Sequence, residues 1–294
     1  MSAMTSSIGV DDGDQDRRWS SALGRASETG EAKEGIGNDA LSAEPSGPDV
    51  ELMPERLEGG PSTREVEDQH EAVPPIDDGA ATDYAFSRRI VCLSAPDGAA
   101  AASYRAVQAH LLARHVGDGR RGLVLCSPRA GTGCTTVAVN LAVACAQTGM
   151  NTLLIDANMA RPGVQDFIQP SAPASGLAQM LLTKSSEQID QTRQGVRPNL
   201  SVLFAGDGSA RARDLIAGKK FKEIVDHAMR SFDLTIVDTP AAFGNMDARN
   251  AAMTVRYAMI VARYDVTHVA DMRQTQEDLV SDRVKVVGSF LTDF

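Results

Sequence analysis

The chain has 294 residues, 43% of them hydrophobic, and a formal net charge of −10. This apolar fraction suits a globular core, and no stretch is apolar over the 18 residues that a membrane-spanning helix needs, so a membrane-embedded protein is excluded. The four cysteines show neither CxxC nor Cys/His spacing, which argues against a zinc site or a disulfide framework. The first residues show no basic stretch followed by an apolar run, so we predict a cytoplasmic protein.

Charge divides the chain into two parts. Residues 1–85 carry 20 Asp and Glu against 6 Lys and Arg, whereas residues 86–294 carry 19 against 23. The first part is also rich in Gly, Ser, Pro and Ala and shows no sustained period of 2 or 3.6. We therefore predict a disordered acidic tail over 1–85 and a folded domain over 86–294. The folded part is only slightly basic, so no nucleic-acid partner is expected.

From Arg88 onward, short β-rich runs alternate with amphipathic helical stretches. In chain order we predict strand 89–95, helix 100–115, strand 122–127, helix 135–149, strand 151–157, helix 175–184, strand 200–206, helix 212–232, strand 233–240, helix 246–255, strand 257–264, helix 268–280 and strand 284–292. This alternation predicts an α/β fold, a doubly wound and mostly parallel sheet with helices on both faces. Ligands of such sheets bind at the carboxyl ends of the strands.

The segment SPRAGTGCTT, residues 127–136, joins a predicted strand to a predicted helix in the manner of a phosphate-binding loop. In the pattern GxxxxGK[ST], backbone N–H groups surround phosphates, the lysine reaches the β and γ phosphates, and the hydroxyl binds magnesium. Here Pro128 replaces the first glycine and Cys134 replaces the lysine. The predicted nucleotide-binding residues of the loop are Arg129, Ala130, Gly131, Thr132, Gly133, Cys134, Thr135 and Thr136.

Two aspartates follow apolar runs at the ends of predicted strands. Asp156 lies in LLIDAN and Asp238 in LTIVDTP. At such positions each could meet magnesium or its water ligands beside the loop. A single aspartate there is commonly a turn or helix-capping residue, but two of them beside a phosphate loop favour a functional role. We predict that Asp156 and Asp238 are catalytic, and that both bind Mg²⁺ together with Thr135.

The order of these motifs resembles the bacterial tyrosine autokinases, P-loop kinases of capsule and exopolysaccharide export that are related to division-site and plasmid-partition ATPases. The most specific run is IDANMARP, because family members carry Asp-x-Asp followed by Arg and Pro. The matching positions here are Asp156, Asn158, Arg161 and Pro162. The resemblance implies a P-loop NTPase fold of the deviant Walker type, ATP and Mg²⁺ as ligands, and Arg161 beside the nucleotide.

The resemblance also implies partners. Family members work with a membrane polysaccharide copolymerase, or chain-length determinant protein, which would bring this protein to the inner membrane as a peripheral component. Homo-oligomers are a further family property. However, the family's Glu-x-x-Arg-x-x-Arg subunit contact reads Ala102, Arg105 and Gln108 here, and no tyrosine-rich tail follows the last predicted strand. The oligomeric state is left open.

Two departures fall where the family needs charge. Cys134 stands at the catalytic lysine, and Asn158 stands at the second aspartate of Asp-x-Asp. A lysine–phosphate contact contributes about 1.5–3 kcal/mol, so its loss should weaken ATP binding about ten- to a hundredfold. Phosphoryl transfer also depends on cations around the γ phosphate. Arg129 or Arg161 could replace the missing charge imperfectly, and Cys134 is either a reactive thiol at a helix N-terminus or a neutral replacement.

Three hypotheses follow. The first is a degenerate kinase-like subunit that regulates polysaccharide polymerisation and export with a separate membrane copolymerase and with weakened ATP chemistry. The second is an active ATP-dependent tyrosine kinase or ATPase of the same pathway. The third is a positioning ATPase of the division or partition type, for which Arg129 stands where the early loop lysine would be.

Overall fold

The computed structural model describes residues 75–76, 83–182, 193–207 and 214–293. The predicted tail over 1–85 therefore lies almost wholly outside the described residues, and its disorder stays a prediction. No helix within the described ranges is long and apolar enough to cross a membrane.

The strands are β1 (Pro75–Ile76), β2 (Tyr84–Ser87), β3 (Gly122–Cys126), β4 (Thr152–Asp156), β5 (Ile168–Pro170), β6 (Gln194–Arg197), β7 (Leu200–Leu203), β8 (Leu234–Asp238), β9 (Tyr257–Arg263) and β10 (Lys285–Thr292). The α-helices are α1 (Val91–Ser94), α2 (Ala99–Leu111), α3 (Cys134–Gln147), α4 (Leu177–Leu182), α5 (Lys219–Ser231), α6 (Met246–Val255) and α7 (Val269–Ser281). These bounds cover the described residues only.

Among the described residues, the central sheet has the order β10-β9-β3-β8-β4-β7-β6. Each neighbouring pair from β10 to β7 is parallel, and β6 alone runs antiparallel to β7. A smaller antiparallel sheet has the order β1-β2-β5. The predicted doubly wound, mostly parallel fold is confirmed.

The middle strands are buried on both faces because helices cover both sides of the sheet. Successive residues of β3 alternate between two apolar clusters, with Leu123 and Leu125 in one and Val124 in the other. The first cluster includes apolar residues of α2 and α3, and the second includes residues of α4, α5, α6 and α7. This two-sided burial explains why the middle strands read as continuous apolar runs without alternation.

The structure differs from the predicted elements at three places. Residues 89–95 contain helix α1 in place of the predicted strand, because a short apolar run fits either structure and packing decides between them. The predicted helix over 212–232 is interrupted at Gly218, where the backbone is extended, and α5 begins only after it. Strands β1, β2, β5 and β6 were not predicted. β1 lies within the predicted tail, and β2 begins two residues before the domain boundary drawn at residue 86.

Asn140 joins α1 to α3 from a fully buried position. Its amide nitrogen donates to the carbonyls of Arg89 at 3.1 Å and Thr136 at 3.0 Å, and its Oδ1 accepts from the N–H of Cys92 at 3.2 Å. This one buried amide therefore satisfies three backbone groups, one in α1, one in α3 and one at Arg89 just before α1.

We expect Asn140→Leu to lower the free energy of unfolding by about 2 kcal/mol, because it leaves the buried N–H of Cys92 without an acceptor. Urea unfolding followed by circular dichroism measures the change. Gln147→Leu is the matched control, since Gln147 is an exposed residue of the same helix and the change removes its partly buried hydrogen bond to the carbonyl of Cys92 at 3.0 Å. Equal losses in the two variants would contradict this account of Asn140.

Candidate functional site

The loop between β3 and α3 lies at the carboxyl edge of the central sheet, where the sequence predicts a phosphate-binding loop. Gly131 and Gly133 adopt left-handed backbone conformations, with φ of 81° and 83°. A side chain would strain these positions, which explains the two glycines. The hydroxyl of Ser127 donates to the carbonyl of Arg129 at 3.0 Å, and Ala130 is exposed at the turn of the loop. The predicted strand-to-helix loop is therefore present.

Thr135 and Asp238 meet as predicted. The hydroxyl of Thr135, in the first turn of α3, donates to Oδ2 of Asp238 at the end of β8 at 2.7 Å. Oδ1 of Asp238 is buried and has no hydrogen-bond partner among the described residues. A threonine hydroxyl beside a free carboxylate oxygen fits the coordination of Mg²⁺, which usually takes one or two protein oxygens and keeps several waters.

Asp156 lies next to Asp238, because the two residues are paired in the register of β4 and β8. Its carboxylate accepts three backbone N–H groups: Oδ1 accepts from Asn158 at 3.0 Å, and Oδ2 from Gly163 and Val164 at 3.1 Å each. Both oxygens are thus engaged in holding the loop that follows β4. A Cβ on Gly163 would lie 3.1 Å from Cγ2 of Thr135, so this loop packs against the predicted magnesium ligand.

The two neighbouring carboxyl groups have no ion-pair partner among the described residues. Burial, and then the charge of Asp156, raise the pKa of Asp238 to about 8, against an ordinary value of 3.8. Burial also raises the pKa of Asp156 to about 6, although its three N–H donors oppose the rise. Ionising these two buried carboxyl groups therefore costs free energy, and a bound cation would offset that cost.

Cys134 occupies the lysine position as a buried, neutral side chain. Its relative exposure is 9%, and it lies beside Asp238. Burial, and then the charge of Asp238, raise the pKa of the Cys134 thiol well above its ordinary value. The structure thus contradicts the interpretation of a reactive thiolate at the helix N-terminus, because burial and a nearby carboxylate outweigh the helix dipole.

The side chain of Arg129, a residue of the loop, pairs with Asp271 of α7. Its Nε lies 2.5 Å from Oδ2 of Asp271, and its Nη2 lies 3.4 Å from Oδ1. The guanidinium carbon also lies 5.4 Å from the ring centroid of Phe243. These contacts hold the pKa of Asp271 below its ordinary value. The guanidinium of Arg129 is therefore engaged with α7, although the residue belongs to the loop.

Asn158 and Arg161 lie together in the loop after β4. Oδ1 of Asn158 accepts from the backbone N–H of Arg161 at 3.3 Å, as a turn residue does. The exposed Arg161 side chain has no hydrogen bond or ion pair within the described part of the chain. The Arg105 guanidinium, at the position of the family's subunit contact, donates to the carbonyl of Pro96 in its own chain.

Two residues that the sequence analysis missed also contact the loop. Nη1 of Arg263, at the end of β9, donates to the carbonyl of Gly131 at 3.3 Å. The hydroxyl of Thr292, at the end of β10, lies 2.9 Å from the carbonyl of Thr132 and 3.2 Å from that of Ala262, and Thr132 is the nearer acceptor for its single proton. The only signal in the sequence is that Thr292 ends a predicted strand and Arg263 stands one residue before the end of another, a position shared by many residues without a role at the site.

A cleft of about 710 Å³ lies at the opposite edge of the sheet, beside the amino ends of β3 and β9. It has four cationic side chains, of which Arg120 pairs with Asp118 at 3.3 Å and Lys222 with Asp226 at 2.5 Å. It shares no residue with the loop. The glycine geometry and the Thr135–Asp238 pair, and not cleft volume, define the candidate site.

The fold and the site define a P-loop NTPase of the deviant Walker type, with the lysine position occupied by cysteine. The family model described as cellulose biosynthesis protein BcsQ matches residues 121–288. The chain belongs to this family.

Comparisons with individual proteins confirm the predicted resemblance to bacterial tyrosine kinases. The chain is 27% identical over 198 residues to the putative tyrosine-protein kinase CapB of Staphylococcus aureus, which covers 67% of this chain and 85% of CapB. It is 28% identical over 177 residues to the succinoglycan biosynthesis transport protein ExoP of Rhizobium meliloti, covering 57% of this chain but 22% of ExoP. The kinase domain of the Escherichia coli tyrosine kinase ETK superposes with a TM-score of 0.64 at 21% identity, covering 69% and 79% of the two chains. The last comparison shows the fold alone.

Proposed function

We propose that the chain is a nucleotide-responsive regulatory subunit of bacterial polysaccharide production whose phosphotransfer chemistry is impaired. One observation carries the proposal: the loop glycines and the Thr135–Asp238 pair are preserved, whereas a buried neutral thiol stands at the lysine position. The backbone N–H groups of the loop would hold the phosphates of ATP. Thr135 and Asp238 would hold Mg²⁺, which neutralises phosphate charge when bound.

The impairment follows from the positions of the remaining charges. Phosphoryl transfer needs cations at the γ phosphate, and Arg129 is engaged with Asp271. Asp156 uses both carboxylate oxygens on backbone amides, which supports a structural role in place of the predicted metal-binding one. We therefore expect slow phosphate transfer or none.

The names of the relatives support the pathway. The chain spans 85% of CapB but 22% of ExoP, so its relatives include proteins of similar length and much longer ones. We propose that this chain works as a separate cytoplasmic component beside a membrane polysaccharide copolymerase or chain-length determinant protein. The preserved loop equally supports an active ATP-dependent kinase or ATPase of the same pathway. Phosphate release and transfer to tyrosine distinguish these two functions.

We expect Cys134→Lys to bind Mg-ATP about ten- to a hundredfold more tightly than the parent chain, because the lysine restores a charge-assisted contact with the phosphates. Isothermal titration calorimetry on the full chain, at one fixed magnesium concentration, measures the change. Cys134→Ser is the matched control, since it alters the side chain without adding charge, and it should gain nothing. Circular dichroism verifies that each variant is folded.

The regulatory proposal predicts weak binding by the parent and a gain confined to the lysine variant. If the parent already binds Mg-ATP as tightly as Cys134→Lys, the missing lysine has been replaced and the active-enzyme alternative is favoured. If neither chain binds at millimolar ATP, the nucleotide function is wrong and the fold serves as a scaffold.

A further inference from the structure

Two consecutive carbonyls of the phosphate loop are held from the same side of the sheet. Arg263 donates to the carbonyl of Gly131 at 3.3 Å, and Thr292 donates to the carbonyl of Thr132 at 2.9 Å. These donors end the strands β9 and β10, which are adjacent and lie on one side of β3. We call this pair of donors the carbonyl clamp. The donors lie 132 and 160 residues away from their acceptors along the chain.

Because peptide bonds are planar, the carbonyl clamp also fixes the direction of the loop amides. In a planar trans peptide the C=O and the following N–H point in opposite directions. Fixing the carbonyls of Gly131 and Thr132 toward β9 and β10 therefore turns the N–H groups of Thr132 and Gly133 away from those strands. Strand β8 flanks β3 on the other side, and its Asp238 meets Thr135 there. Both amides thus face the side of the loop where the Thr135–Asp238 pair lies.

The flanking glycines leave this part of the loop dependent on outside contacts. Gly131 and Gly133 are both left-handed, and glycine enters that region and others with little steric penalty. Thr132 between them is buried, but its own hydroxyl has no hydrogen-bond partner among the described residues. The residue is held through its carbonyl and not through its side chain. Without the clamp, the two peptide planes would be freer to rotate.

We propose that Arg263 and Thr292 are positioning residues that orient the N–H groups of Thr132 and Gly133 toward bound phosphate. The inference rests on the proposed nucleotide function and deepens it. It gains weight from the substitution at Cys134, because a loop without its lysine holds phosphate mainly through backbone dipoles whose direction must be set beforehand. Arg263 is only half-buried and could also touch a ligand directly, so Thr292, which is 2% exposed, provides the cleaner test.

The test compares Thr292→Val with Thr292→Ser in the full chain. Valine has nearly the shape of threonine but lacks the hydroxyl, whereas serine keeps the donor. We expect Thr292→Val to weaken Mg-ATP binding about three- to tenfold and Thr292→Ser to bind like the parent. The measurement is calorimetry, carried out in the Cys134→Lys background if the parent binds too weakly to quantify. Amide hydrogen exchange of residues 130–134 without nucleotide should be faster in Thr292→Val alone.

Each outcome decides the inference. Parent-like affinity in Thr292→Val, or equal losses in the valine and serine variants, would overturn it while the nucleotide function stands. If no chain binds Mg-ATP, even with Cys134→Lys, the proposed function fails and hydrogen exchange decides the clamp alone. Faster exchange confined to Thr292→Val then supports the clamp, and unchanged exchange rejects it.

Discussion

Asp238→Asn is expected to become more stable than the parent chain as the pH rises from 5 to 8. The pKa of Asp238 is about 8 in the folded protein, against an ordinary value of 3.8. Between these values the folded state binds more protons than the unfolded state, so the parent's stability falls as the pH rises through this window. The stabilising contribution is complete below about pH 4 and is lost above about pH 8.

The size of the effect follows from the width of the window. Each pH unit in which only the folded state keeps the proton costs about 1.4 kcal/mol, so the two chains should diverge by up to about 4 kcal/mol between pH 5 and 8. Asparagine stays neutral throughout, and its carbonyl can still accept from Thr135. Urea unfolding at pH 5, 6, 7 and 8, without magnesium, measures the divergence.

A control variant tests whether the pH dependence of stability comes from Asp238 and not from removing any carboxylate in this region. Asp233→Asn changes an aspartate only five residues away that accepts from the backbone N–H of Asn151 at 3.0 Å at an exposed site. Asp233→Asn should not show the increase in the free energy of unfolding, relative to the parent, that Asp238→Asn shows between pH 5 and 8. Parallel stability curves for the parent and Asp238→Asn would mean that Asp238 is ionised in the folded protein without a penalty, contrary to the buried geometry.

Asp156→Ala is expected to lower the free energy of unfolding by about 3–5 kcal/mol at pH 5. The substitution removes the acceptor for three backbone N–H groups, including the buried one of Val164. Each hydrogen bond contributes about 0.5–1.5 kcal/mol, although the bonds are not additive, and a buried donor without an acceptor costs about 1–3 kcal/mol. The measurement is made at pH 5 because burial raises the pKa of Asp156 to about 6, so its contribution to stability is present at low pH and falls as the pH rises through 6.

The loop after β4 should lose order together with this stability. Hydrogen exchange over residues 157–164 is expected to accelerate in Asp156→Ala beyond the change in the rest of the sheet. Asp166→Ala is the matched control, because Asp166 is an exposed carboxylate just after the same loop. A loss below about 1 kcal/mol in Asp156→Ala would show that the carboxylate is dispensable for the fold. A direct role at magnesium would then regain support.

The sequence alone was sufficient for the architecture and for the location of the site. Strands β3, β4 and β8 are buried on both faces, so their apolar runs are continuous. Such runs can be recognised as strands without knowing which strands are their neighbours. The glycines at 131 and 133 and the aspartates at strand ends were also readable, because each depends on local backbone geometry or on position at a strand terminus. Helix α1 and the four unpredicted strands were not, because packing against distant elements outweighs short local preferences.

Only the tertiary structure decided what the charged residues of the site do. The sequence suggested Arg129 as a replacement cation, but Asp271, 142 residues away, accepts its guanidinium. Asp156 was predicted to bind the metal, which stays a prediction, and the structure adds that its oxygens accept three amides of the following loop. Thr292 contacts Thr132 from 160 residues away, and Cys134 is buried beside Asp238. Such partners depend on which strands are neighbours and in what register, and no local pattern of residues records that arrangement.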